Sequence, residues 1–189
     1  MDELVDILDE QGKHTGNTCL KSVAHKNGYW HPCIHVWLYT KKGEVVIQKR
    51  VDDKDTFPGL WDVSVAGHIG AGEVPLLAAQ RELFEELGAD VKTDALEFIG
   101  NHTTDHMHNA MLIDREYHHV YITVLTIPLS DLKLQAEEVS QIKLIPVDSL
   151  KHDLLDDRLN KSYVPYNKEY VTMVCKAIKE KVKNIKRVL

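Results

Sequence analysis

Alternating apolar and polar positions predict the first strands of this chain. Residues 3–9 alternate acidic and apolar side chains with a period of two, which is typical of a half-buried strand, and turn residues follow at 10–13. Residues 33–40 are rich in β-branched and aromatic side chains. A turn at KKGE separates them from a second such run at 45–50. The pattern therefore predicts an N-terminal strand and turn, followed by a β-hairpin.

A helical period replaces this alternation in the middle of the chain. Proline at position 75 suits the first helical turn, and Gly88 suits the residue after the last one. These signals predict a helix over residues 75–87. Its recurring apolar positions are Leu76, Leu77, Ala79, Leu83 and Leu87.

The second half mixes further strands with helices. Runs at 95–99, 117–127 and 142–147 predict strands, Asp148 is a good N-cap for a short helix, and a longer helix is predicted over 167–188. That last helix is rich in lysine, which favours a solvated face over binding of an anionic partner. Because strands and helices do not alternate regularly, the sequence predicts an α+β fold with a mixed sheet.

Composition narrows the functional class. With 43% apolar and 28% charged residues, the 189-residue chain is long enough for a true core. A net charge of -6 argues against a general nucleic-acid partner. No apolar run reaches the roughly 18–20 residues that span a bilayer, and the acidic start lacks the basic and apolar pattern typical of a signal peptide. Three cysteines without a close pair favour a reducing compartment, so we expect a cytoplasmic protein with no membrane partner.

The helix predicted over residues 75–87 carries clustered carboxylates. Glu82, Glu85 and Glu86 are spaced i, i+3 and i+4, so they share one helical face. Like charges at this spacing repel, and a bound cation would explain why they cluster. Their hard oxygen atoms suit Mg²⁺, with Mn²⁺ as the alternative ion. From the charge pattern alone, however, a solvated acidic face is the favoured interpretation.

Residues around the cluster add to the metal interpretation. Arg81 precedes it, and its planar guanidinium suits a carboxylate or a phosphate. Glu73 lies on the preceding loop, where it can approach the same face. Gly67, Gly70 and Gly72 allow left-handed backbone conformations and close backbone approach.

The whole segment 67–89 resembles the Nudix box, G-x5-E-x7-R-E-U-x-E-E-x-G-U, where U is a bulky aliphatic residue. Seven positions are exact identities, and at average residue usage chance agreement is on the order of 10⁻⁸ per register. Ala89 is smaller than the pattern prefers, which concerns packing only. The matching residues are Gly67, Glu73, Arg81, Glu82, Leu83, Glu85, Glu86 and Gly88.

The resemblance implies a Nudix α/β/α sandwich whose box binds two or three divalent ions and which hydrolyses a diphosphate linked to another moiety. Glu82, Glu85 and Glu86, with the backbone of Gly67, would hold the metal. Glu82 is the candidate that also activates water, with Glu85 beside it in the catalytic set. Glu73 would be a supporting carboxylate, and Arg81 would orient the cluster. The general base stays open, because Nudix enzymes place it differently.

Residues 4–100 also resemble the Nudix branch that contains type I isopentenyl-diphosphate isomerase. That resemblance implies a second metal site with histidine and carboxylate ligands, suited to Mn²⁺, Fe²⁺ or Zn²⁺. The alternative is that these positions are inherited and serve packing or substrate contact. Lys21, Arg50 and Lys54 match basic residues that hold the substrate diphosphate. The implied metal ligands are His25, His31, His68, Asp114 and Glu116.

Two departures from the isomerase favour hydrolysis. Ala66 stands where the isomerase has a proton-transfer cysteine, and a methyl group cannot move a proton. Cys33 lies elsewhere in the sequence and is no obvious substitute. The isomerase also lacks carboxylates that correspond to Glu82 and Glu85, whereas this chain has the complete hydrolytic set.

Other acidic and histidine-rich stretches receive simpler interpretations. Glu137 and Glu138 resemble the acidic stretch before the last Nudix strand, where a turn or solvated loop is favoured over a catalytic base. Five histidines between 102 and 119 are expected to be surface or hydrogen-bonded residues rather than ligands.

The sequence thus predicts a single Nudix domain over 1–189. It would comprise an N-terminal β-hairpin extension (1–30), a Nudix core (31–160) and a C-terminal helix (161–189). The predicted function is Mg²⁺-dependent hydrolysis of a small isoprenoid or nucleoside diphosphate by metal-activated water. The alternatives are isopentenyl-diphosphate isomerisation and a non-catalytic Nudix-fold metabolite sensor. Assembly as a homodimer is left open.

Overall fold

The N-terminal part of the computed structural model, which describes residues 2–188, is an antiparallel hairpin. Strand β1 (Leu4–Leu8) pairs with β2 (His14–Leu20) across the turn predicted at residues 10–13. Helix α1 (Lys21–Asn27) follows and ends at Gly28, whose φ of 64° is the left-handed conformation that glycine adopts without strain. The predicted N-terminal hairpin extension is confirmed.

A seven-stranded mixed sheet forms the centre of the fold. Its path runs β5-β4-β3-β8-β7, while β6 pairs with β3 and β9 pairs with β4. β3 and β8 are parallel, and the other pairs are antiparallel. The strands are β3 (His31–Tyr39), β4 (Glu44–Arg50), β5 (Trp61–Asp62), β6 (Val65–His68), β7 (Glu97–Asn109), β8 (Leu112–Val124) and β9 (Val139–Pro146).

Helices cover both faces of this sheet because strand residues alternate between the faces. On β3, Ile34 and Val36 belong to the core that includes helix α2 (Pro75–Leu87). Trp37, on the opposite face, belongs to the core under α3 (Val147–Leu155) and α4 (Lys168–Val188). The predicted α/β/α sandwich with a mixed sheet and a C-terminal helix is confirmed.

The sequence predicted the ends of some helices and strands correctly and the ends of others wrongly. Helix α2 begins at Pro75 and ends before Gly88, as predicted. The strands predicted at 95–99 and 117–127 were wrong in extent, because β7 and β8 each run for 13 residues and form one long hairpin. Asp148 is not an N-cap, since α3 already begins at Val147.

Helix α4 packs one apolar face on the sheet and turns its basic side chains outward. Tyr170, Val174 and Ile178 are buried, whereas Lys176 and Lys183 are exposed, in agreement with the solvated basic face predicted. In residues 2–188, none of the helices is both long enough and apolar enough to cross a bilayer.

Candidate active site

A cavity of about 170 Å³ brings together most of the site residues predicted from the sequence. The carboxylates of α2 line it together with histidines and acids of the sheet and with three cations. Glu73, Arg81 and His31 lie next to it rather than in its lining. The predicted residues that line it are Lys21, His25, Arg50, Lys54, Gly67, His68, Glu82, Glu85, Glu86, Asp114 and Glu116.

The cavity lies where β3 and β4 part. These two strands pair only at Tyr39 and Val45, so they separate towards the other end of β3. Across the gap, Gln48 Nε2 on β4 donates a hydrogen bond to Glu86 Oε2 on α2 at 3.0 Å. Carboxylates of α2 therefore reach the same space as residues of β3, β6 and β8.

Arg81 ties the acidic cluster together. Its guanidinium donates hydrogen bonds to Glu73 (3.0 and 2.9 Å), to Glu82 (2.6 Å) and to Glu85 (3.0 Å). It also donates to the backbone carbonyl of His68 at 3.1 Å. The hydrogen bonds from Arg81 to Glu73 lower the pKa of the Glu73 carboxyl group. One arginine thus fixes the orientation of three carboxylates.

Two of the three α2 carboxylates, Glu82 and Glu86, are buried at an electrostatic cost, whereas the side chain of Glu85 is 48% exposed. Burial raises the pKa of Glu86 well above its ordinary value, and the neighbouring Glu82 raises it further. Burial also raises the pKa of Glu82. Within the described part of the chain, no hydrogen bond or ion pair uses Glu82 Oε2, Glu85 Oε1 or Glu86 Oε1. Buried acids with unused oxygens fit a divalent cation, which would stabilise their charged form.

Gly67 allows a close approach between β6 and the Glu82 side chain of α2. A side chain at this position would collide with the Glu82 carboxyl group. Gly70 N donates to Glu73 Oε2 at 2.9 Å, and Gly72 adopts a φ of 74°. Gly67 thus leaves room for the Glu82 carboxyl group, and Gly70 donates a backbone hydrogen bond to Glu73.

Replacing Gly67 by alanine is expected to lower kcat at least about tenfold, because the added methyl group displaces the Glu82 carboxylate. Steady-state hydrolysis and the melting temperature test this. Gly16→Ala is the matched control. A methyl group at Gly16 would meet no neighbouring atom, but the φ of 85° is a conformation that alanine adopts only with strain. This control should cost stability without lowering kcat. Equal kcat in Gly67→Ala and wild type would contradict the role of this contact.

The histidine and acid set forms a second cluster in the same region. The rings of His25, His31 and His68 lie 5.1 to 5.8 Å apart. His25 Nε2 is 3.5 Å from Asp114 Oδ1, and His68 Nε2 is 3.6 Å from Glu116 Oε1. The three Nε2 atoms and Asp114 Oδ1 are buried and have no hydrogen-bond partner. Unpaired buried groups are costly, and metal binding in this cluster would satisfy those that become ligands.

Protonation in this cluster also fits a metal. Burial lowers the pKa of His31 to about 4 and that of His68 well below its usual value. The imidazoles are therefore neutral, which is the form that binds metals. Burial and the adjacent Glu116 raise the pKa of Asp114 to about 8. The donor set, nitrogen plus carboxylate oxygen, suits Mn²⁺, Fe²⁺ or Zn²⁺.

Two of the three predicted diphosphate-binding cations already have acidic partners. Arg50 Nη1 donates to Asp62 Oδ2 at 3.0 Å, and Lys54 forms an ion pair with Glu138. Glu138 lies in a turn, as predicted, but it also lines the cavity. Lys21 lines the cavity as well. A phosphate that enters the cavity would therefore compete with Asp62 for Arg50 and with Glu138 for Lys54.

Sequence reasoning missed several residues that line the cavity. His35, Thr104, His118 and Tyr166 line it, and His35 and His118 stack with ring centres 3.9 Å apart. The available signal was alternation, because His102, Thr104, His106 and His108 recur every second residue along β7.

Cys33 is also in this cavity. Its Sγ donates a hydrogen bond to Glu116 Oε1 at 3.1 Å. Its distance in sequence from the box gave no sign of this placement.

Comparison with known proteins decides the family. A model of the NUDIX domain matches residues 30–166, more than half of the chain. The chain belongs to the Nudix hydrolase family. This Nudix hydrolase is 38% identical over 162 residues to an uncharacterised Nudix hydrolase of Clostridium acetobutylicum, a match that covers 84% of this chain and 77% of the relative.

Two further relatives widen the comparison. Nudix hydrolase 3 of Arabidopsis thaliana is 39% identical over 175 residues, which are 89% of this Nudix hydrolase but only 22% of that protein. This chain therefore spans about a fifth of the length of the Arabidopsis relative. An isopentenyl-diphosphate Delta-isomerase of Streptomyces coelicolor is 32% identical over 138 residues, covering 72% of this chain and 68% of the isomerase.

Among solved structures, the DR0079 protein of Deinococcus radiodurans matches with a TM-score of 0.64 and 19% identity. The match covers 90% of this Nudix hydrolase and 98% of the other chain. At this identity the likeness concerns the fold.

Proposed function

We propose that this Nudix hydrolase uses Mg²⁺ to cleave the diphosphate bond of a small isoprenoid or nucleoside diphosphate. Mn²⁺ would be an alternative ion. The observation that carries the proposal is that three carboxylates of one helix face a cavity also lined by three cations. Hydrolase relatives over most of the chain support it. The cations are Lys21, Arg50 and Lys54, and the carboxylates are Glu82, Glu85 and Glu86.

Some residues of the site would bind the metal ion, and others orient the side chains that bind it. Bound magnesium would supply a Lewis acid and a water of lowered pKa. Glu82, Glu85 and Glu86, with the backbone of Gly67, would hold it. Arg81 keeps Glu82 and Glu85 in place through its guanidinium hydrogen bonds, while Glu73 holds Arg81 from the other side.

The opposite wall would hold the substrate. Lys21, Arg50 and Lys54 line the cavity and would bind the diphosphate oxygens. Because Lys54 pairs with Glu138, an arriving phosphate would compete with that carboxylate for the ammonium group. The substrate would thus lie between cations on one side and the α2 carboxylates on the other.

A substrate panel tests the proposal. Isoprenoid and nucleoside diphosphates are incubated with the protein and Mg²⁺, and release of phosphate or monophosphate is measured with and without a chelator. The proposal expects chelator-sensitive turnover of at least one member. Thermal stabilisation by a panel member without any turnover would instead favour a metabolite sensor.

We also propose that His25, His31, His68, Asp114 and Glu116 form a second metal site. The four unpaired buried donor atoms support it.

With excess Mg²⁺ present to occupy the α2 carboxylates, added Zn²⁺ is expected to raise the melting temperature by several degrees, because an ion that binds only the folded state stabilises it. His31→Gln should abolish most of this rise, since His31 belongs to both groups of donors in this cluster. His152→Gln is the control, because that ring is 69% exposed. Equal metal-induced shifts in both variants would contradict the site.

Isopentenyl-diphosphate isomerisation is the second candidate function, favoured by the Streptomyces coelicolor relative and by the histidine cluster. Ala66 on β6 argues against it, because no proton-transfer group stands there. Deuterium uptake from heavy water into isopentenyl diphosphate would support isomerisation, and its absence is expected.

The protein is further proposed to be cytoplasmic and to act on a small molecule. Its three cysteines are all free, which suits a reducing compartment.

A further inference from the structure

Cys33 occupies a central position among the metal-binding side chains. On β3, residues His31, Cys33 and His35 are two apart and therefore project from the same face of the sheet. In the strand register, Cys33 lies opposite His68 of β6 on one side and His118 of β8 on the other. The sulfur is thus placed between two strands that both carry imidazoles into the cavity.

The donor atoms around this sulfur are close enough to share one ion. One ligand atom from each of His31, Cys33, His68 and Glu116 lies within 4.8 Å of all the others. Around a tetrahedral zinc, with bonds of about 2.0 to 2.3 Å, donor atoms lie roughly 3.3 to 3.8 Å apart. Two of the pairs already fall near this range, Cys33–Glu116 at 3.1 Å and His68–Glu116 at 3.6 Å.

An independent observation points to a ligand at this place. His31 is completely buried, and its Nε2 has no hydrogen-bond partner. The Nε2 of His68 is also buried and unpartnered. If Cys33 only served as a hydrogen-bond donor to Glu116, both imidazole nitrogens would stay unsatisfied. An ion held by all four residues satisfies both of these nitrogens.

We propose that the Cys33 thiolate is a ligand of the second metal site and gives it a nitrogen, oxygen and sulfur donor set. The proposal rests on the second site described above, from which His31, His68 and Glu116 would be the other ligands of the ion that the sulfur binds. On binding, the S–H bond breaks, its proton passes to solvent and a sulfur–metal bond forms, with no change of oxidation state.

The sulfur also determines which metal the site prefers. Thiolate and imidazole ligands select Zn²⁺ and similar ions, whereas the carboxylates of α2 suit Mg²⁺. One cavity would therefore hold two kinds of ion, each bound by the ligands that it prefers.

Cobalt spectroscopy on the full-length, metal-stripped protein tests the proposal. Co²⁺ is added in the presence of excess Mg²⁺, which keeps the α2 carboxylates occupied. The wild-type protein should develop a near-ultraviolet sulfur-to-cobalt charge-transfer band, and Zn²⁺ should abolish it. Cys33→Ser should lose the band and lower Zn²⁺ affinity at least about tenfold in a chelator competition.

Cys19→Ser is the matched control, because Cys19 lies on β2 of the N-terminal hairpin and not in the cavity. It should retain the band. The wild-type spectrum is informative even if Cys33→Ser fails to fold.

The outcomes separate the proposals. Visible d–d bands of bound Co²⁺ without a charge-transfer band overturn the thiolate ligand but leave the second metal site in place. Absence of both overturns the site as well. Neither result bears on the proposed Mg²⁺-dependent hydrolysis, because the substrate panel tests that activity separately. A charge-transfer band that persists in Cys33→Ser also overturns the proposal.

Discussion

Replacing Glu86 by glutamine is expected to lower kcat for diphosphate hydrolysis by about 10³-fold, equivalent to roughly 4 kcal/mol in the barrier. Glutamine keeps the shape of the side chain and removes its charge. Glu86 is only 4% exposed, so bulk solvent compensates little for the lost charge. Steady-state kinetics at saturating Mg²⁺ measure the effect.

A matched pair of variants makes this result specific. Glu85→Gln should also lower kcat, because Glu85 lines the same cavity. Glu180→Gln removes the same charge from the exposed side of α4 and should leave kcat unchanged. If Glu85→Gln and Glu86→Gln both hydrolyse the substrate as fast as wild type, the role assigned to the cluster is wrong.

Replacing Arg81 by alanine should lower kcat about 100-fold and the melting temperature by roughly 5 °C. The guanidinium contacts Glu73, Glu82 and Glu85, and its removal leaves three facing carboxylates without a cation. Losing one partner of a partly buried ion pair costs about 2 kcal/mol, because the other charge stays desolvated. Steady-state kinetics with Mg²⁺ measure the change in kcat, and thermal unfolding in chelator measures the change in melting temperature.

Two further variants separate orientation from charge. Arg81→Lys keeps the charge but loses the paired hydrogen bonds, so it should recover stability more than kcat. Arg158→Ala is the control, because Arg158 is 87% exposed. Wild-type kcat in Arg81→Ala would show that the guanidinium does not orient the catalytic carboxylates.

Helix α2 shows how much of the site follows from local sequence. Its ends depend on Pro75 and Gly88, which act through their own backbone preferences. The shared face of Glu82 and Glu86 follows from helical geometry alone. These features need no information about distant residues, which is why the bounds of the helix and the acidic cluster were predictable.

The long β7–β8 hairpin shows where local reasoning failed. Along β7, Thr104 and His106 line the cavity and His102 packs against Tyr170, so the inward positions are polar and the usual apolar alternation is missing. Their partners lie on β8 and helix α4, and His102 stacks on Tyr170 at 4.4 Å. Contacts between such distant positions depend on strand register, which the sequence of one segment does not contain.

The contact between Cys33 and Glu116 is the same kind of case. The two residues are 83 positions apart and meet because β3 and β8 pair in parallel. Parallel neighbours require a long crossover connection, so no turn signal marks them.

Hydrolysis in ¹⁸O-labelled water, with Mg²⁺ and the substrate identified by the panel, tests the central claim most directly. If the carboxylates of α2 hold the ion that activates water for attack on phosphorus, mass spectrometry will find the label in a phosphate or monophosphate product. Label bound to carbon in the organic product, or no turnover of any panel member with Mg²⁺, would contradict the account.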